Sequence, residues 1–220
     1  MNTRNIARFG LMTALALVLG YLDRAIPVTW FLSGAVPGIK LGLANTVLLY
    51  AVYLTDWKTS ILLMLVKVLL SGFLFGSLSA ILYSLSGGVL SLAVMLAARR
   101  NPRAGALAAG ILALLSAALL LRGHPHPAGE MLWCLVLSTL AGAAGIALSL
   151  ALRRRPEWGV IGVSVIGAVA HNLGQILTAA AVLRTPQLLS TYLPVLAGVG
   201  AVVGGLTGVI ARRVFRAVRA

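Results

Sequence analysis

Apolar residues run through the chain in eight long stretches, at 6–22, 38–54, 59–76, 78–98, 104–121, 131–152, 159–183 and 188–211. A helix needs about 20 apolar residues to cross a hydrocarbon layer about 30 Å thick. The first two stretches are short and would stand nearly upright. Within each stretch the apolar residues are continuous and do not alternate, which argues against a barrel. The pattern predicts an all-α polytopic bundle of about eight transmembrane helices, forming a single integral membrane domain over 1–220.

Composition agrees with this reading. Hydrophobic residues make up 60% of the chain and charged residues 10%, against about 25% charged in an ordinary soluble domain. That leaves too little polar surface for a soluble enzyme, and disorder is excluded by the high hydrophobicity. The single Cys134 excludes an intrachain disulfide.

The charges are lopsided, with 18 Lys+Arg against 4 Asp+Glu and a net charge of +14. A nucleic-acid binder would concentrate its bases along one face or groove. Here they fall in short clusters between the apolar runs, so no nucleic-acid partner is expected. Arg4, Arg8, Lys58, Arg99, Arg100, Arg103, Arg153, Arg154, Arg155, Arg212, Arg213, Arg216 and Arg219 occupy one set of alternate loops and ends. Only Arg24, Arg122 and Arg184 occupy the other. By the positive-inside rule the rich side is cytoplasmic and both termini are cytoplasmic. The expected location is the cell membrane, multi-pass, as in a bacterial inner membrane. No small-x-small cleavage site follows residue 20, so the first helix is read as retained.

The longest outer connection, 23–37, holds Pro27, Trp30, Phe31, Gly34 and Pro37. It reads equally as an aromatic interface anchor or as a lid over an outward cavity. Small residues recur at four-residue spacing: Gly200, Gly204 and Gly208; Ala170 and Gly174; Gly10 and Ala14. Such stripes let helices approach closely. They read mainly as packing within the bundle, with docking of the first helix on another membrane subunit as the sharper alternative.

Polar residues at membrane depth carry the candidate chemistry. Lys67 lies about eight residues from either end of its helix, roughly 12 Å from an interface, beyond the reach of its own stem. An ionisable group there points to function. Asp23, Asp56, Glu130 and Glu157 all read as loop or helix-end residues, so no acid is expected beside Lys67. His171, Gln175 and Thr178 share one stripe of the seventh helix, with Asn172 beside Gln175. That stripe suits either interhelical hydrogen bonds or a ligand site. Lys40 opens the second helix, as an interface lysine or a site residue, and Asn45 lies deeper. With Tyr83, Ser84 and Ser86, these residues suggest a polar, cationic, acid-free cavity opening outward. It would take an anionic or strongly hydrogen-bonding small molecule.

Other chemistries find no support. Lys58-Thr59 is not preceded by the glycines of a phosphate-binding loop. No His/Cys cluster suggests a metal, and carboxylates are too few for a magnesium–diphosphate site. No cofactor or metal is expected, and the chain is not read as an enzyme.

Four segments resemble a known family. They are Pro37-Gly38-Ile39-Lys40-Leu41-Gly42-Leu43-Ala44-Asn45, Lys67-Val68-Leu69-Leu70-Ser71-Gly72 with Phe75-Gly76, Ser84-Leu85-Ser86-Gly87-Gly88, and Gly162-Val163-Ser164 continuing through Gly167-Ala168-Val169-Ala170-His171-Asn172-Leu173-Gly174-Gln175. Together they resemble the Gx transporter family, also catalogued as heptaprenyl diphosphate synthase component I. That family is similar to the substrate-binding S components of energy-coupling factor transporters. The resemblance implies a six-helix core with an outward pocket and a lid between its first two helices. It also implies partners: a membrane scaffold docking on the first helix, here through Gly10 and Ala14, and cytoplasmic ATPase subunits. Residues 101–157 depart from the pattern as an inserted helical hairpin.

The sequence is thus read as a membrane substrate-binding, S-component-like subunit of a multicomponent small-molecule transporter. Lys67, His171, Asn172 and Gln175 are the expected ligand contacts, then Lys40 and Asn45. Lys67 supplies charge and the amides supply orientation. The alternative is a non-catalytic membrane accessory subunit of prenyl diphosphate or quinone biosynthesis.

Overall fold

The computed structural model describes residues 3–25, 42–75, 77–122, 128–154, 159–185 and 187–219. Lys40, and the 23–37 connection beyond Ala25, lie outside the described residues. The described chain is helical and carries no strand. Its helices are α1 (Thr3–Ala25), α2 (Asn45–Leu54), α3 (Trp57–Phe75), α4 (Leu78–Ala98), α5 (Pro102–Arg122), α6 (Ala128–Arg154), α7 (Gly159–Val182) and α8 (Gln187–Arg219). Five of them, α1, α3, α4, α7 and α8, are long and apolar enough to cross a membrane. Large apolar side chains such as Leu11, Phe73, Leu78 and Leu206 point outward. An apolar exterior is what a bilayer requires of a spanning bundle.

The second helix is shorter than its apolar run suggested. It begins at Asn45, not near residue 38, and its ten residues span about 15 Å, half a hydrocarbon layer. Gly42 stands just ahead of it with φ +89°, a conformation that a helix cannot continue through and that side chains oppose. Asn45 is therefore the first residue of α2 and not one deep within it.

The far end of α2 turns sharply into α3. Asp56 caps α3, accepting from the Thr59 N–H at 3.1 Å and the Thr59 hydroxyl at 2.6 Å. These bonds, the hydroxyl foremost, hold the Asp56 carboxyl below its ordinary pKa. Helix ends gather around this corner. Arg99, closing α4, donates to the Val52 carbonyl and lies 5.4 Å over the Tyr53 ring. Phe215 of α8 meets Tyr50 edge-on at 5.2 Å and Tyr53 at 5.4 Å. Ser149 of α6 donates to the Arg103 carbonyl at 3.1 Å. The start of α1 and the α2–α3 corner line one groove of about 530 Å³ that includes Arg8, Phe9, Met12, Leu54 and Asp56. The basic clusters that alternate along the sequence thus share one end of the bundle.

The core centres on α7, in which most residues are buried. Its close neighbours are admitted by glycine. A Cβ at Gly204 would lie 2.8 Å from the Val165 Cα, one at Gly208 2.8 Å from the Ile161 Cα, and one at Gly174 2.8 Å from the Gly87 Cα. The Gly200–Gly208 stripe is therefore internal packing of α8 on α7. Gly204→Val should lower the thermal unfolding midpoint in detergent, by an overpacking cost of about 1–3 kcal/mol; an unchanged midpoint would contradict the backbone approach.

The first helix is packed differently. Only 11% of its apolar 18-residue window is buried. It rests on α2 and α3 through Ala16 and Gly20, with Phe9, Met12 and Leu19 beside them. Among the described residues no atom lies within 4 Å of the place a Cβ on Gly10 would take, and Ala14 is exposed. The α5–α6 hairpin packs on α7 and α8, away from α1.

Candidate binding site

Lys67 and Asn45 meet at mid-depth. Lys67 lies ten residues into α3 and Asn45 nine residues before the end of α2, so each stands about 15 Å from the shared α2–α3 corner. Both are buried, at 6% exposure. Lys67 Nζ donates to Asn45 Oδ1 at 3.4 Å. Asn45 Nδ2 donates to Ser91 Oγ at 2.9 Å, and Ser91 Oγ donates to the Gly167 carbonyl at 2.8 Å. One polar chain thus ties α3, α2, α4 and α7 together through the bundle.

Beside this chain lies a small cavity lined by Gly20, Asp23, Gly42, Ala44, Lys67, Val68, Ser71, Ser84 and His171. Its volume is about 20 Å³, enough for one water. His171 is slotted between two glycines. A Cβ at Gly42 would lie 3.2 Å from its Cδ2, and one at Gly87 would lie 2.8 Å from its Nδ1 and 2.7 Å from its carbonyl oxygen. Gly87→Ala should therefore displace the imidazole. A shifted His171 ring resonance with little change in helicity is the expected result, and an unmoved resonance would contradict the slot.

Asp23 corrects the acid-free cavity. It lies within α1, is 3% exposed, and shares the cavity with Lys67. Its Oδ2 accepts from the Ala44 N–H at 3.3 Å, at the start of α2. The helix continues through Asp23 because its inward stripe does: Ala16, Gly20 and Asp23 follow at four- and three-residue steps. That spacing is the signal by which the sequence could have revealed it. Ser71 and Ser91 were also missed, since lone serines in apolar helices carry little pattern of their own.

The other expected contacts divide. His171 lines the cavity, and Asn45 reaches it through Lys67. Asn172 does not line it; its Nδ2 donates to the Leu196 carbonyl at 2.7 Å, a bond between α7 and α8. Gln175 is fully buried beside Gly87 and also lies off the lining. Ser86 donates to the Gly174 carbonyl at 3.0 Å, joining α4 to α7. Among the described residues no group of three or more His, Cys, Asp or Glu could hold a metal ion.

These features define a multi-pass helical membrane protein with a charged polar cluster buried at mid-depth. The sequence model for heptaprenyl diphosphate synthase component I matches residues 12–123 and 113–214. The chain belongs to that family. No curated protein and no solved structure matches it.

Proposed function

We propose that the chain is the membrane-embedded substrate-binding subunit of a multicomponent transporter in the cell membrane, with both termini cytoplasmic. The observation that carries this reading is the Lys67–Asn45 pair beside the cavity of Asp23, Ser71, Ser84 and His171. Charged groups at bilayer depth are expensive and mark substrate pathways or binding sites. A half-length helix whose N-terminus opens at mid-depth is also how many transporters present backbone amides to a substrate. On this reading Lys67 and His171 contact the ligand and Asn45 orients Lys67. Asn172 and Gln175 brace α7 behind the site, and Lys40 is a candidate from the connection above.

The first helix suits a partner surface. Gly10 and Ala14 face away from the chain, and close helix association in lipid favours small residues. A membrane scaffold with ATPase subunits is the partner we propose, and the 101–157 hairpin is a separate elaboration on the opposite side. The family's printed name favours a second reading, a non-catalytic subunit beside a soluble prenyl synthase.

Affinity purification from mildly solubilised native membranes separates the two. Recovery of an ATPase and a second membrane subunit supports the transporter. Recovery of a soluble prenyl diphosphate synthase alone overturns it. Gly10→Leu should cut recovery of the membrane partner severalfold while leaving the purified chain's melting unchanged, because among the described residues nothing lies within 4 Å of a Cβ at Gly10.

A further inference from the structure

The cavity poses a problem of space and charge. With Asp23 in place it holds about one water, so a ligand enters only if part of the wall withdraws. The walls are unequal. In an apolar 18-residue window of each helix, 83% of residues are buried in α7, 44% in α4 and 39% in α3, but only 11% in α1. The first helix is therefore the cheapest wall to move. Apolar contact with neighbours gives it little specific hold, because lipid offers equivalent contact. The polar hold that the structure describes at its C-terminal end is Asp23, seated on the Ala44 N–H beside Lys67.

Withdrawal of α1 would carry the Asp23 carboxylate away. It would leave the Lys67 ammonium and the first amides of α2 facing an empty, low-dielectric space. Uncompensated charge there is strongly unfavourable, and the positive end of a helix adds to the demand for an anion. A neutral ligand would not meet that demand. A ligand carrying a carboxylate or phosphate group would.

We propose that Asp23 is an intramolecular stand-in for an oxyanion ligand, so that ligand binding and release of α1 from the cavity are one exchange. This rests on the cavity being the ligand site, and it names the ligand class. It also links occupancy to the helix whose outer face, with Gly10 and Ala14, is open to a partner. An occupied site would present a loosened α1 and an empty site a seated one.

The test uses a reporter across the α1–α2 contact. A Cβ placed at Gly20 lies 3.9 Å from the Ala44 Cβ, within the span of a disulfide. Gly20→Cys with Ala44→Cys, in a Cys134→Ala background, should cross-link rapidly on mild oxidation in nanodiscs. Adding Asp23→Asn should slow the cross-link about tenfold, the equivalent of about 1.4 kcal/mol. Asp23→Glu should restore the rate, which guards against misfolding as the cause. Millimolar inorganic phosphate or succinate should slow cross-linking of the Asp23 protein, and the preformed cross-link should weaken binding of the same anion by tenfold or more.

An unchanged rate in the Asp23→Asn protein overturns the latch. A slowed rate there, with no effect of either anion on the Asp23 protein, overturns the exchange. Either result leaves the cavity reading to its own test, retention of a co-extracted ligand. Retention of that ligand by the Lys67→Met protein, with an intact latch, would instead remove the cavity reading on which the exchange rests.

Discussion

Lys67→Met should strip the protein of its co-extracted small molecule. Native mass spectrometry of gently extracted wild-type protein is expected to show a bound mass, and the variant is expected to show none. The size of the effect follows from burial. Lys67 is 6% exposed, so its charge acts without much screening by water. Removing one partner of a buried charge pair costs about 2–5 kcal/mol, a loss of roughly 30- to 4000-fold in affinity. Methionine keeps much of the stem's volume and should preserve packing against Val68 and its neighbours. Because Lys67→Met also leaves the Asp23 carboxylate without its neighbouring cation, lost ligand in a variant that keeps its helical circular dichroism separates recognition from folding. Retention of the bound mass by the Lys67→Met protein would show that the ligand sits elsewhere.

Asn45→Leu should have the largest effect on stability. The Asn45 amide accepts from Lys67 and donates to Ser91, so its loss takes one acceptor from a buried ammonium and weakens the link from α2 to α4. Leaving buried polar groups unsatisfied costs about 1–3 kcal/mol each, and more for a charge. A combined loss of about 2–4 kcal/mol is expected, read as a lower thermal midpoint in detergent. The double variant Asn45→Leu/Lys67→Met should be less damaged than the sum of the two, since the ammonium that lost its acceptor is gone. A coupling of about 0.5–3 kcal/mol is the range for residues in one network. Strict additivity would show that the Lys67–Asn45 contact at 3.4 Å contributes nothing.

Much of the fold was legible because the bilayer imposes a simple length rule. Each apolar run corresponds to a helix, and the spacing of the basic clusters agrees with the way the helix ends gather at one end. The exception was α2. Its run reads as a full span from 38 to 54, but backbone conformation at Gly42 stops the helix, and hydropathy does not record φ. The glycine stripe of α8 was readable as packing, because four-residue spacing places Gly200, Gly204 and Gly208 on one face. The same spacing at Gly10 and Ala14 faces outward, and no feature of the stripe itself distinguishes the two cases.

The site was legible in its parts. Lys67 and His171 stand out because charge and imidazole are costly in hydrocarbon, and both line the cavity. Asn172 and Gln175 stand out for the same reason, yet they lie off the lining, Asn172 bonded to α8 and Gln175 packed beside Gly87. A polar residue at membrane depth must find hydrogen-bond partners, and sequence does not say whether those are a ligand or a carbonyl of the next helix.

Sequence by itself determined that this protein has the apolar helices of a multi-pass membrane protein, where most of them lie, and that Lys67 sits far from either end of its helix. Those properties depend on local composition and on the 1.5 Å rise of a helix, which any reader of the chain can apply. Tertiary structure alone decided that Asp23, 44 residues before Lys67, shares its cavity, and that Asn45 and Ser91 link it across the bundle to α7. These contacts depend on how α1 rests against α2 and α3, and on a break at Gly42 that brings the start of α2 level with Lys67. Four acids in a +14 chain looked too few to matter at the site. Three-dimensional packing placed one of them there.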